Sequence, residues 1–343
     1  MRRRAGLRAP PRLPHALLGI ALGLATVVAA RRRQRSFAGR TVLVTGGSRG
    51  LGLELAREFG RRGARVAICA RDAETLDRAR VDLERRDIAV CAMAVDVREA
   101  DAVAGAVRSV VERWGALDVL VNNAGVITVG PLETMTLADF DDAIRTTFGG
   151  ALHATQAALP LMRARGEGHI VNIVSVGGKI PVPHLLPYVA GKFALAGFSE
   201  GLAAEVRPWG IAVTTVYPGL MRTGSPRHAL FKGDHRAEYA WFSIADAIPG
   251  LAMHVERAAR RIADACARRA PVLTLTVPAR VAIAFHAVAP GTTSRLLSLV
   301  TRLLPVASGH GTRAVRGRDS ETEWSRSALT RPSQRAEQTQ NQA

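Results

Sequence analysis

The chain reads as a doubly wound α/β domain, and three observations carry that reading. Across residues 38–277, short apolar runs of strand length alternate with longer stretches of helical periodicity. Several runs are apolar throughout rather than at every second residue, as expected of strands covered by helices on both faces. The first run, Val42-Leu43-Val44, leads into a glycine loop, Thr45-Gly46-Gly47-Ser48-Arg49-Gly50-Leu51-Gly52, that opens a helical stretch. Strand–helix alternation of this kind implies a parallel sheet in one domain.

The strands are placed at 41–45, 65–69, 88–94, 117–121, 169–174, 211–216 and 272–276, and helices at 51–62, 73–86, 99–114, 137–163 and 188–207. Before them, residues 16–30 carry no charge and are bracketed by Arg2, Arg3, Arg4, Arg8 and Arg12 on one side and Arg31, Arg32, Arg33 and Arg35 on the other. That run is short for a bilayer span of about 20 residues, but flanking arginines can snorkel and extend it. Residues 1–37 are therefore read as a membrane anchor, with 13–30 in the bilayer and the domain in the cytoplasm. A cleaved export signal is the alternative, and the arginine triplet after Ala30 is a poor cleavage context. Residues 278–307 form two apolar pieces broken at Pro290-Gly291. They either pack on the domain or a second copy, or lie in a membrane interface. Residues 308–343 are polar and read as disordered.

Charge and cysteine content exclude other classes. The net charge of +18 is concentrated at the start, where residues 1–40 hold ten arginines and no acid. The rest has no basic stripe interleaved with aromatics, which argues against nucleic-acid binding. Cys69, Cys91 and Cys266 make no disulfide framework, and no metal-ligand spacing is present. Lysine occurs only as Lys179, Lys192 and Lys232.

Glycines in the 45–52 loop let the backbone turn sharply against a phosphate, and the helix that follows offers free N–H groups and a positive dipole end. Downstream, Tyr188 and Lys192 stand four apart on one helical face, thirteen residues beyond Ser175 at a strand end. A free phenol has a pKa near ~10. A neighbouring ammonium stabilises the phenolate and brings proton donation into the working range. Ser175 can hydrogen-bond a substrate oxygen as charge develops there.

With Asn122-Asn123-Ala124-Gly125 and Pro218-Gly219, these motifs make the chain resemble the short-chain dehydrogenase/reductase family over roughly residues 38–277. The resemblance implies a Rossmann-type fold with about seven parallel strands and an enzyme that interconverts a carbonyl and an alcohol by hydride transfer. It implies Ser175, Tyr188 and Lys192 as catalytic residues, with Lys192 also on the nicotinamide ribose. It places Thr45, Gly46, Ser48, Gly50, Leu51, Gly52, Asp96, Val97, Asn123, Ala124, Gly125, Pro218, Gly219 and Thr223 on the cofactor, Asp96 and Val97 at adenine. Dimers or tetramers are implied as well.

At the end of the second strand Ala70 and Arg71 stand where an NAD-selecting protein places a carboxylate. With Arg49 in the glycine loop, Arg71 favours a 2′-phosphate and hence NADP(H). One position departs from the family pattern. The asparagine usual in the central helix, which carries a relay water, falls here on Thr147. The aromatics Phe231, Tyr239, Trp241 and Phe242 would form a lid, and with the anchor they point to an apolar or lipid-like substrate. His184 reads as a surface residue. A nucleotide sensor without turnover is the rival function, which the Ser175/Tyr188/Lys192 set argues against.

Overall fold

The first three strands of the sequence are short apolar runs, and the second pairs with both of the others. In the computed structural model, which describes residues 36–247, 252–307, 311–322 and 339–342, they are β1 (Thr41–Thr45), β2 (Arg65–Ala70) and β3 (Val90–Ala94). With β4 (Val119–Asn122), β6 (Gly168–Ile173), β7 (Ile211–Tyr217) and β11 (Val272–Thr274) they form one seven-stranded sheet. Its order is β11-β7-β6-β4-β1-β2-β3, and every pairing is parallel. The chain runs outward from β1 to β3, then returns to β4 on the opposite side of β1. That reversal opens a crevice at the carboxyl ends of β1 and β4, where such sheets bind ligands.

Helices cover both faces, as fully apolar strands require. On one face α1 (Gly50–Arg61), α2 (Ala73–Glu84) and α8 (Val255–Ala267) share a core with β1 and β2 through Leu53, Phe59, Leu83 and Ile262. On the other, α3 (Ala100–Trp114) and α5 (Gly150–Arg165) pack Val107, Val110, Ala158 and Met162 against Leu43, Leu120 and Ile170. The long helix α6 (Leu186–Val206) lies beside them and enters with Pro187 in its first turn, where a missing N–H costs nothing.

The helical stretch expected over 137–163 is two helices. α4 (Leu137–Ile144) and α5 are joined by one π-turn, Arg145–Gly149. The wide turn accompanies close helix approaches. A Cβ on Gly191 of α6 would stand 2.9 Å from the Ala143 carbonyl oxygen, and one on Gly150 would stand 2.7 Å from Val97 Cγ2.

The remaining described elements sit over the sheet's carboxyl edge. They include β5 (Thr128–Val129), β9 (Leu230–Phe231) and β12 (Val315–Arg316) in one small sheet, β8 (Met221–Arg222) with β10 (Met253–His254) in another, and α7 (His235–Ala247). The extension forms α9 (Val277–Val288) and α10 (Pro290–Thr301), which meet at Ala289.

Part of the segment read as disordered has structure. Val315 pairs with Phe231, Gly317 packs directly on the Pro226 carbonyl, and buried Ser320 shares a hydrogen bond of 2.9 Å with His235 Nδ1. Composition missed this because the segment borrows its partners from β9 and α7. The anchor at 13–30 lies outside the described residues, and among the described residues no helix is long and apolar enough to cross a membrane.

Candidate active site

Most residues singled out from the sequence lie at or just beyond the carboxyl end of a sheet strand, with Thr147 in the π-turn and Tyr188 and Lys192 on α6. The glycine loop links β1 to α1 and is braced from β4. Asn123 Nδ2 donates to the carbonyl oxygens of Thr45 and Gly46, both at 3.1 Å, while Thr45 Oγ1 accepts from the amides of Asn123 at 3.0 Å and Ala124 at 3.2 Å. Asn123 therefore holds the loop's shape. Gly46 has φ +64° and lies so close to Ala124 that a Cβ would stand 3.0 Å from its Cα. A Cβ on Gly52 would collide with the Gly46 carbonyl. Ser48 and Leu51 are buried beneath the loop. This cradle, with the α1 N-terminus at its mouth, has the shape and donor set for a diphosphate.

Ser175, Tyr188, Lys192 and Thr147 converge beside it. Ser175 ends the β6 segment, and its Oγ accepts from the Gly177 amide at 3.0 Å. A Cβ on Gly177 would lie 3.2 Å from Tyr188 Cε1 and 3.5 Å from Ser175 Oγ, which brings hydroxyl and phenol ring together. One helical turn on, Lys192 Nζ donates to the Ile173 carbonyl at 2.8 Å and stands 5.7 Å from the Tyr188 ring centroid. Burial pushes the Lys192 ammonium down to about 8. Thr147 sits inside the π-turn. A Cβ on Gly125 would stand 3.4 Å from Thr147 Oγ1 and 3.6 Å from Lys192 Nζ, so the two polar atoms face a common space. Thr147 Oγ1 is buried and has no hydrogen-bond partner among the described residues. A buried hydroxyl in that condition is normally satisfied by water.

The cofactor-selecting positions are more mixed. Arg49 is largely buried in the N-cap position of α1, and its Nη1 donates to His228 Nδ1 at 3.0 Å. Burial lowers its guanidinium below the usual value, and Arg71 and Arg316 act in the same direction. Arg71 is exposed at the end of β2. Asp72, which the sequence reading passed over, caps α2 by accepting from the Thr75 amide at 2.8 Å and partly offsets the positive field on Arg49. Asp96 is held below the usual carboxylate range by hydrogen bonds from Arg98, which also bridges to Asp142 at 2.9 Å. Val97 is buried, and its carbonyl shares a hydrogen bond of 3.0 Å with His153 Nδ1. Pro218 accepts from the Val176 amide at 2.8 Å, and a Cβ on Gly219 would stand 2.8 Å from Thr276 Oγ1. Thr223 is buried 3.9 Å from the position of a Cβ on Gly50.

The family model described as short chain dehydrogenase matches residues 40–230. The chain belongs to this family. It is 38% identical over 224 residues to a dehydrogenase/reductase SDR family protein 7-like of Anopheles gambiae, an overlap of 64% of this chain and 70% of that one. A variant actinorhodin polyketide ketoreductase crystallised with NADPH superposes with a TM-score of 0.62 at 33% identity, over 71% of this chain and 97% of that one. A metagenomic short-chain oxidoreductase in complex with NADP is 38% identical with a TM-score of 0.51, over 53% and 83% of the two chains. This short-chain dehydrogenase is accordingly an oxidoreductase that interconverts a carbonyl and an alcohol with an NAD(P) nucleotide.

Three features of this short-chain dehydrogenase were not legible in its motifs. First, a buried polar chain ties the site helix to the sheet. Asn122 Nδ2 donates to Asn172 Oδ1 at 2.8 Å, Asn172 Nδ2 to Ser199 Oγ at 2.9 Å, and Ser199 shares a hydrogen bond of 2.6 Å with Thr215. A serine eleven residues past the tyrosine gave the only sequence signal. Second, His184 is buried rather than on the surface. Its Nδ1 lies 2.7 Å from the fully buried Glu238, and its φ of +60° is sparsely populated for a residue with a Cβ. The expected lid aromatics pack there on one another, with Phe231 edge-on to Tyr239 at 5.3 Å and to Phe242 at 5.9 Å. Third, residues 339–342 cross the glycine loop. The Gly50 amide donates to the Gln340 carbonyl at 3.0 Å, and Asn341 Nδ2 donates to the Ser48 carbonyl at 2.8 Å. His228 Nε2 lies 3.1 Å from the Gln342 carbonyl. An oxygen of the chain itself thus sits on the helix N–H where a phosphate oxygen would be accepted. Among the described residues no group of His, Cys, Asp and Glu could hold a metal ion.

Proposed function

We propose that the protein is an NADP(H)-dependent carbonyl reductase or alcohol dehydrogenase of apolar, lipid-like substrates, with Ser175, Tyr188 and Lys192 catalytic and Thr147 in the proton relay. The observation that carries this reading is the pairing of Thr147 with Lys192 beneath Gly125 and of Ser175 with Tyr188 at Gly177, next to a loop shaped for diphosphate.

The loop fits a dinucleotide: its glycines leave no space for a Cβ, and the Gly50 N–H already takes an acceptor oxygen. Thr45, Gly46, Ser48, Arg49, Gly50, Leu51 and Gly52 would hold the phosphates, Asp96 and Val97 the adenine end, and Ala124, Gly125, Pro218, Gly219 and Thr223 the nicotinamide end. Arg71, exposed beyond Ala70 and near enough to act on both Arg49 and Asp96, supports the choice of a 2′-phosphorylated nucleotide. The bound nucleotide would supply or accept the hydride. The protein's own residues handle the proton. In reduction the proton of the Tyr188 hydroxyl passes to the carbonyl oxygen, leaving a phenolate that the Lys192 ammonium stabilises from the next turn. Ser175 Oγ, positioned by its bond from Gly177, donates to the same substrate oxygen. Lys192 spends one N–H on the Ile173 carbonyl and keeps two for the relay through water at Thr147.

The substrate class is supported by a cavity of about 450 Å³ with Leu132, Val182, Leu186, Leu297, Leu304 and Val306 in its walls. Val182 and Leu186 belong to the segment that leads into Tyr188. The uncharged, arginine-flanked run at 13–30 supports attachment to a membrane; NADPH supply, rather than the nearly equal flanking charges, favours the cytoplasmic side for the domain, and the family supports a homo-oligomer.

The test is NADPH oxidation by the full-length protein over a panel of ketones, aldehydes and long-chain carbonyls, beside Tyr188→Phe. Turnover on an apolar member, lost by 10²–10⁴-fold in the variant while NADPH still binds, supports the reading. Turnover that survives loss of the phenol refutes it, and tight NADPH binding with no turnover on any carbonyl assigns the sensor role instead.

A further inference from the structure

Helices α9 and α10 present an apolar face. Val277, Val281, Phe285 and Val288 recur along one side of α9 and are 45–87% exposed. Leu296, Leu299, Val300 and Leu303 repeat the pattern along α10 and just past its end, with Leu303 85% exposed. On the rest of the described surface large apolar residues are exposed mostly singly, which is ordinary; a contiguous stripe over two helices marks a surface that is covered in use.

Charge decides what covers it. From Ala265 to Arg318 the sequence contains no Asp or Glu, and Arg280, Arg295 and Arg302 are exposed beside the stripes. A second copy docked two-fold on this face would set those arginines against their own images, a repulsive arrangement. An anionic lipid surface meets the same pattern favourably: aliphatic side chains enter the headgroup–acyl boundary while guanidinium groups take phosphates. Each helix has 12 residues, too few to span a bilayer and suited to lying in its interface.

We propose that α9 and α10 form a docking face for an anionic lipid bilayer, a contact separate from residues 13–30 and independent of the reductase reading. The two sides of α10 agree with it. Leu296, Leu299, Val300 and Leu303 face outward, whereas Ser294, Leu297, Ser298 and Thr301 line the 450 Å³ cavity with Val182 and Leu186, and the exposed Arg302 borders both. One helix thereby lies between the bilayer and that cavity, whose Val182 and Leu186 precede Tyr188 in the chain.

The experiment places an environment-sensitive nitrobenzoxadiazole label on Val288→Cys or Leu303→Cys in the full-length protein, with the unsubstituted chain as labelling blank and Glu112→Cys on α3 as the site outside the face. Cys69 and Cys266 are buried, which limits background. Vesicles of phosphatidylcholine alone, or with about one third phosphatidylglycerol, carry doxyl-lipid quenchers. The expected result is a blue shift with quenching at 288 and 303 on anionic vesicles and none at 112. Arg280→Glu, Arg295→Glu and Arg302→Glu each weaken that signal about fivefold. Circular dichroism checks that the variants fold. A label at 288 and 303 that stays water-like while the protein sediments with vesicles overturns the proposal. So does an equal shift on neutral vesicles, or a lipid-independent shift that grows with protein concentration and so assigns the face to a second copy.

Discussion

Replacing Lys192 by methionine should stabilise the protein at neutral pH while abolishing its chemistry. The ammonium is fully enclosed, and burial moves it from the ordinary 10.5 down to about 8. Between those values the unfolded chain holds a proton that the folded chain has released, so stability from this group rises with pH through the window. At pH 7 the buried charge costs about 3 kcal/mol, and above 10.5 it costs nothing. Methionine keeps the volume but orphans the Ile173 carbonyl, a cost of about 1–3 kcal/mol that does not vary with pH. The two effects therefore separate. Denaturant unfolding of the full-length wild type and Lys192→Met at pH 7 and pH 10 should show the variant's relative advantage shrinking by about 2–3 kcal/mol as pH rises. Groups common to both proteins cancel in the difference. A wild-type-minus-variant gap that stays flat to within about 0.5 kcal/mol would refute the claim that enclosure tunes this lysine.

Three further outcomes follow from the site. Thr147→Asn restores an amide to the relay position and should leave kcat within about tenfold, a barrier change of ~1.4 kcal/mol, in steady-state assays; a far larger change would mean the relay runs elsewhere. Arg71→Asp should weaken NADPH about 10–100-fold with little change for NADH, read by fluorescence titration of both nucleotides, because it replaces a phosphate-binding cation with a repelling anion. Ending the chain after Gln338 removes residues 339–343 and frees the Gly50 amide from Gln340, so NADPH should bind about fivefold more tightly in the same titration; unchanged affinity would show that this contact opposes nothing.

The sheet was legible because its strands are short, mostly apolar runs, several of them without a polar residue inside, as strands covered on both faces require. Strand ends shifted by only one or two residues, as at Val90 and Asn122, where pairing with a neighbour sets the limit. The glycine loop and the Ser175, Tyr188 and Lys192 cluster were legible for a different reason: each uses residue types whose chemistry is specific and whose spacing is fixed by one loop or one helical turn. What escaped depended on distant partners. His184 looks like a loop histidine until Glu238, 54 positions later, closes over it. Val315 lacks a strand pattern of its own and acquires one from Phe231. The Asn122–Asn172–Ser199–Thr215 chain draws one side chain from each of four elements, so no local window contains it.

The π-turn at Arg145–Gly149 has a consequence for how this helix tolerates change. Each residue in a helix turns the next by about 100°, so one surplus residue rotates everything on one side of it relative to the other. Trimming a single position there would let the helix continue past Arg145–Gly149 with regular i to i−4 bonds. It would also swing Thr147 away from Lys192. The irregular turn acts as an aiming device: it keeps Thr147 pointed at the lysine while the helices on either side each keep their own buried face.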